Sequence, residues 1–93
     1  MAALGSWDIS ELKGCNLPQR AQSAFTGATM NLVGADYSPV LYIGKQLVNG
    51  TNYCFLAVQT LITAKPKKRL VKMVVHEDFD GTCKLLSVSP INL

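Results

Sequence analysis

The chain has 93 residues, 48% of them apolar and 16% charged, with a mean hydropathy of +0.20 and a net charge of +3. That length supports one domain, the apolar share is too high for a disordered tail, and no apolar run approaches the about 20 residues that a membrane helix needs. The opening Met1–Gly5 has neither the basic nor the apolar part of a secretory leader, and three cysteines cannot all pair within one chain. The setting expected is therefore cytoplasmic, or secretion by a bacterium after removal of a leader.

Residues 1–16 read as an irregular N-terminal segment that holds Gly5, Gly14 and the single tryptophan, Trp7, which is expected to pack on the rest of the domain. Leu17, Ala21, Ala24, Phe25, Ala28 and Leu32 then fall on one face at helical spacing. Asn16 offers an N-cap, Pro18 fits a first turn, and Gln19 stands where a capping partner reaches back. The spacing predicts a helix over 17–33 that Gly34 stops, so that segment 17–34 is helical. From residue 37 to residue 93 the chain reads as antiparallel sheet, with strands at Val40–Val48, Tyr53–Thr63, Leu70–His76 and Cys83–Val88. Asn49-Gly50 and Asp80-Gly81 between β-rich runs predict two-residue hairpins with positive φ at both turn positions. On alternation, Cys54, Leu56, Val58 and Ile62 are expected on one face of their strand and Val71, Met73 and Val75 on one face of theirs. Tyr53 and Phe55 then fall opposite, as an outer apolar patch or a dimer contact. One helix on a four- to five-stranded meander is an α+β fold, a single domain over 1–93.

In a meander, alternate turns lie at the same end of the sheet. The Asn49-Gly50 and Asp80-Gly81 turns should stand side by side as a ridge, with the basic turn near Pro66 at the far end. The same layout puts Cys54 and Cys83 on strands flanking a common neighbour, too far apart to form a disulfide. Cys15, Cys54 and Cys83 match no zinc spacing, and the single His76, expected at the surface of a strand end, completes none, so no metal or cofactor is expected. Five of the nine basic residues lie between Lys65 and Lys72. Without interleaved aromatics that run reads as a solvated turn, not as a nucleic-acid site. Paired carboxylates in a defensible site, a nucleophile elbow and a phosphate loop are all missing from the sequence, which does not point to an enzyme.

The first tip reads Gln46-Leu47-Val48-Asn49-Gly50, followed by Thr51-Asn52-Tyr53. Gln46, Val48 and Gly50 resemble the Gln-x-Val-x-Gly signature of the cystatins, inhibitors of papain-like cysteine proteases. The tip lies between two predicted strands downstream of a helix, and Leu4-Gly5-Ser6-Trp7 is similar to the Gly-Gly-Trp start of many members. The likeness is greatest to short bacterial cystatin-like chains, over Tyr37–Leu56. The resemblance implies a cystatin-like fold and a tripartite wedge of N-terminal segment, first tip and second tip that plugs a protease cleft. Carried over, Gln46, Val48 and Gly50 form the central contact, with Leu47 and Asn49 between them. Gly5 lets the front segment turn, and Leu4 offers an apolar side chain. The second tip of the family often carries Pro-Trp. Here Glu77-Asp78-Phe79-Asp80-Gly81 is acidic, so Phe79 is the candidate for the aromatic contact. Such an inhibitor needs no catalytic group.

Two readings follow from the resemblance: a reversible, tight-binding inhibitor of papain-like proteases, or a cystatin-fold interaction module that inhibits nothing. The partner expected is a papain-like cysteine protease, with no nucleic acid and no membrane. Asn49-Gly50-Thr51 is a glycosylation sequon at the contact tip, which fits a bacterial source or a compartment without N-glycosylation. Val48 and Thr51, both β-branched, flank the turn. Opening it would allow a domain-swapped homodimer beside the monomer, with the contact tip lost.

Overall fold

The computed structural model describes residues 17–92. Leu4, Gly5, Trp7, Cys15 and Asn16 lie outside the described residues. One helix, α1 (Gln19–Thr29), precedes four strands, β1 (Ala35–Val48), β2 (Gly50–Leu61), β3 (Lys67–Glu77) and β4 (Cys83–Pro90). The strands form one antiparallel sheet in the order β1-β2-β3-β4, with the helix packed on one face: an α+β arrangement.

The helix follows its predicted face through Ala21, Ala24 and Phe25, all buried, with Leu17 and Ala28 packed alongside. It is shorter than the spacing predicts. Leu32, counted on that face, is 40% exposed. Thr26, Gly27, Thr29 and Asn31 are weak helix formers, and the Thr29 hydroxyl donates back to the Phe25 carbonyl at 2.9 Å. The chain leaves through a tighter Leu32 N–H to Thr29 C=O bond, and Gly34, with φ of 88°, turns it into β1 instead of ending the helix. At the front, Pro18 sits one residue before the helix, its carbonyl accepting from the Gln22 N–H at 3.0 Å. Pro18, at the N-cap, makes no side-chain cap bond, and the expected cap at Asn16 with its partner Gln19 involves a residue outside the described ones. With 11 residues and no side-chain cap among the described residues, the helix depends on its packed face.

The strands run longer than predicted, and the reason is local. Pro39 hides the start of β1 from a pattern search, yet among the described residues β1 is an edge strand, where a residue without an N–H is tolerated. The ladders carry three irregularities, which leave Val40 and Ile43 of β1 and Leu86 of β4 as extra residues. In the basic run only the segment before Lys67 is turn. Lys67, Lys68 and Arg69 belong to β3.

The face of β2 is the reverse of the expected one. Tyr53, Phe55 and Ala57 are buried under the helix, opposite Val75, Met73 and Val71 of β3 in the ladder. Cys54, Leu56 and Val58 lie on the outer face, and Ile62 falls beyond the strand and is exposed. Val71, Met73 and Val75 occupy the core as predicted. The β2–β3 register decides the matter: directly opposed residues share a face, so once Met73 is inside, Phe55 must be too. The Phe25 ring meets Phe55 edge-on, centroids 5.0 Å apart, and Tyr42 packs at 5.6 Å. Cys54 and Cys83 are free thiols on opposite faces of the sheet.

Phe55→Ala should therefore cost about 3–5 kcal/mol, read from urea unfolding. Leu56→Ala, on the half-buried outer face, should cost clearly less. Equal losses would contradict the assignment of faces.

Candidate functional site

The two hairpin tips stand side by side at one end of the sheet, since Thr51 pairs with Glu77 and Glu77 with Cys83. The turn that holds Pro66 lies at the other end. Each tip is a three-residue loop in place of the predicted two-residue turn. In the first, Leu47 faces Thr51 and Val48 faces Gly50, so the chain reverses over Val48-Asn49-Gly50 with Asn49 at the apex, between the strand ends. In the second, the Asp78 N–H donates to the Thr82 carbonyl at 2.8 Å and the Gly81 N–H to the Asp78 carbonyl at 3.0 Å, around Phe79-Asp80-Gly81. Only the glycines take positive φ, 101° at Gly50 and 88° at Gly81, while Asn49 and Asp80 do not. This is the pattern of a turn closed by a single left-handed residue, which demands glycine at that one place.

The side chains of the tips point outward. Leu47 is 75% exposed, Val48 46% and Phe79 84%, and Gln46 and Asn49 are exposed as well. Gly50 is different. It is buried, and a Cβ placed on it would lie 2.5 Å from the Glu77 carbonyl oxygen and 2.9 Å from His76 Cε1. Within the signature, Gly50 thus has an internal task, to let the first tip lie against the end of β3.

His76 is also unlike its expectation. It is only 9% exposed, on the outer face, in a polar row that crosses the sheet. Its Nδ1 lies 2.7 Å from Asn52 Oδ1 and its Nε2 2.8 Å from Asp78 Oδ1, and Asn52 Nδ2 donates to Gln46 Oε1 at 3.2 Å. On the helix side, Glu77 gathers the Tyr53 hydroxyl at 3.3 Å and the Arg20 guanidinium at 3.5 Å. Burial pushes the Tyr53 phenol up, and the Glu77 carboxylate adds to it. Burial, with Glu77 second, likewise raises the Cys83 thiol, whose Sγ donates to Glu77 Oε2 at 3.9 Å. The Thr82 N–H donates to Asp80 Oδ1 at 2.9 Å and holds that carboxyl below its usual range, so the second tip is acidic.

Asn52, His76 and Asp78 went unmarked as site residues because the link between Asn52 and His76 spans 24 residues of sequence. The signal that links them is register: Gln46 opposes Asn52 across the first hairpin, and Asn52 opposes His76. Beside them on the outer face a shallow groove of about 290 Å³ runs past Ile43, Gly44, Cys54 and Val74. Among the described residues no cluster of three or more His, Cys, Asp or Glu side chains is placed to hold a metal ion. No helix among them is long and apolar enough to cross a membrane. No protein-family model, curated protein or solved structure matches the chain.

Two outcomes are expected. Gly50→Ala should destabilise the fold by about 1–3 kcal/mol, since it combines an unfavourable φ with a contact on backbone, whereas Gly81→Ala, whose Cβ meets nothing within 4 Å, should cost less. Urea midpoints of the two variants check this. At about pH 8, native Cys83 should react with iodoacetamide more slowly than the same thiol in the unfolded chain, because a raised pKa leaves less thiolate. Glu77→Gln should narrow the difference, measured by mass spectrometry of the Cys83 peptide.

Proposed function

We propose that the chain is a reversible, tight-binding inhibitor of papain-like cysteine proteases that acts through a cystatin-like wedge. The observation that carries this reading is the pair of adjacent tips, with Leu47, Val48 and Phe79 exposed at their ends on loops whose positive φ is taken by Gly50 and Gly81. Exposed apolar side chains on two short, neighbouring loops suit insertion into a cleft, where they shed water. The tip sequence Gln46–Gly50, the order of helix then four-stranded meander, and the front residues Leu4 and Gly5 support the same reading. In this mechanism the first tip occupies the centre of the cleft, Phe79 adds an apolar contact on one side, and the N-terminal segment fills pockets on the other. Inhibition is occlusion, so it requires no nucleophile, acid or base from this chain.

The second reading, an interaction module that inhibits nothing, is favoured by the acidic flanks of Phe79 at Asp78 and Asp80. A titration against papain separates the two. The parent should inhibit at or below about micromolar concentration, and Leu47→Asp with Val48→Asp should weaken inhibition about a hundredfold, as for loss of a central anchor. The unfolding midpoint should hardly move, because both side chains are exposed. These positions are a better test than Gly50, where a substitution damages the hairpin itself. Removal of Met1–Leu4 should raise the dissociation rate more than it lowers the association rate. No inhibition by the parent would overturn the reading in favour of the module.

A further inference from the structure

The polar row on the outer face joins parts of the molecule that the wedge needs to hold together. Asn52 belongs to β2 two residues after Gly50, and Asp78 is the residue on which the second tip closes. His76 lies between them with one ring nitrogen on each, at 2.7 and 2.8 Å. The ring also rests on the first tip directly. A Cβ on Gly50 would stand 2.9 Å from its Cε1 and 3.0 Å from its Nε2, so the space that glycine leaves open is the space the imidazole fills. Gln46, in the signature, continues the row through Asn52. The geometry points to His76 as a positioning residue that locks the two hairpin tips into one rigid binding edge, with Gly50 as its seat.

The lock needs no particular charge on the ring. With Asn52 Oδ1 and Asp78 Oδ1 both facing it, a doubly protonated imidazole donates from both nitrogens. A neutral ring protonated at Nε2 keeps the bond to Asp78 and accepts at Nδ1 from Asn52 Nδ2, once the Asn52 and Gln46 amides turn over together. In each case the row from Gln46 to Asp78 stays closed. A buried ring bonded on both sides moves only if both partners move. A displacement of the second tip is therefore felt at the first, although the two loops share no direct side-chain bond in the described contacts. The role of His76 in binding rests on the inhibitor reading, whereas the lock itself does not.

Amide dynamics of the ¹⁵N-labelled chain test the lock without a protease. Asp78→Ala cuts the row at its exposed end and leaves the turn's backbone bonds in place. It should lower the heteronuclear NOE at Asn49 and Gly50 of the first tip as well as at Phe79–Gly81, with Phe55 and Met73 unchanged. His76→Phe, which keeps the ring's bulk, should loosen both tips in the same way. Asp78→Asn, which still presents an acceptor to Nε2, should restore the parent pattern. Asn49 and Gly50 unaltered in Asp78→Ala would overturn the lock. For the same proteins the dissociation rate from papain should rise about tenfold in Asp78→Ala and in His76→Phe, as expected for a lost bond to a charged or buried partner, and return in Asp78→Asn. Loosened tips with unchanged dissociation would overturn the role of His76 in binding. A parent that does not inhibit papain would overturn the inhibitor reading alone, with the amide measurements still deciding the lock.

Discussion

The register between β2 and β3 is the constraint on which the rest of the molecule depends. It sets Phe55 opposite Met73, Tyr53 opposite Val75 and Ala57 opposite Val71, and so builds the apolar floor on which Phe25 and its helix rest. Because side chains alternate along a strand, a slip of one residue would send this whole set to the other face and leave the helix over Cys54 and Leu56. The same register carries Asn52 to His76 and Thr51 to Glu77, which aligns the two loops. Core and tip geometry are thus two results of one alignment. A helix of 11 residues has little stability of its own to offer and takes its place from the sheet.

Much of this was legible in the sequence, and what was not has definable causes. Ala21, Ala24 and Phe25 at helical spacing located the helix, but Leu32 extends the period by coincidence into residues that cannot sustain it. Asn49-Gly50 and Asp80-Gly81 marked both turns, and meander geometry placed them together. Dipeptides, however, do not distinguish a two-residue loop from a three-residue one with a single left-handed glycine. The face of β2 was ambiguous because a central strand is apolar on both sides: Tyr53, Phe55 and Ala57 alternate with Cys54, Leu56 and Val58. Counting the ladder outward from the basic turn, with Val71, Met73 and Val75 already inside, would have decided it. The polar row was beyond any local pattern. Residues 46, 52, 76 and 78 form a neighbourhood only after two hairpins have been folded.

Gly50 shows how a signature residue can serve the fold as much as the surface it is read for. A glycine in an exposed loop invites the explanation that something outside must come close. Here the close neighbours are the Glu77 carbonyl and the His76 ring. The residues left to meet an outside surface are those around it, Gln46, Leu47, Val48 and Asn49, all exposed and all displayed by a loop whose shape that glycine fixes. The division between residues that shape a loop and residues that present chemistry is a useful one for a tip of this kind.

The irregularities of the outer strands have a meaning for how copies of the chain behave together. Among the described residues β1 and β4 border the sheet, and each presents to solvent a ladder that another strand could extend. Both borders are broken. Pro39 and Pro90 remove a donor from each, and the extra residues Val40, Ile43 and Leu86 disturb the even spacing that an incoming strand would need. In a chain that is nearly half apolar, with a long strand on its rim, such breaks work against edge-to-edge pairing of copies. The backbone of these margins, with missing donors and uneven spacing, is a poorer template for pairing than a regular edge of the same length.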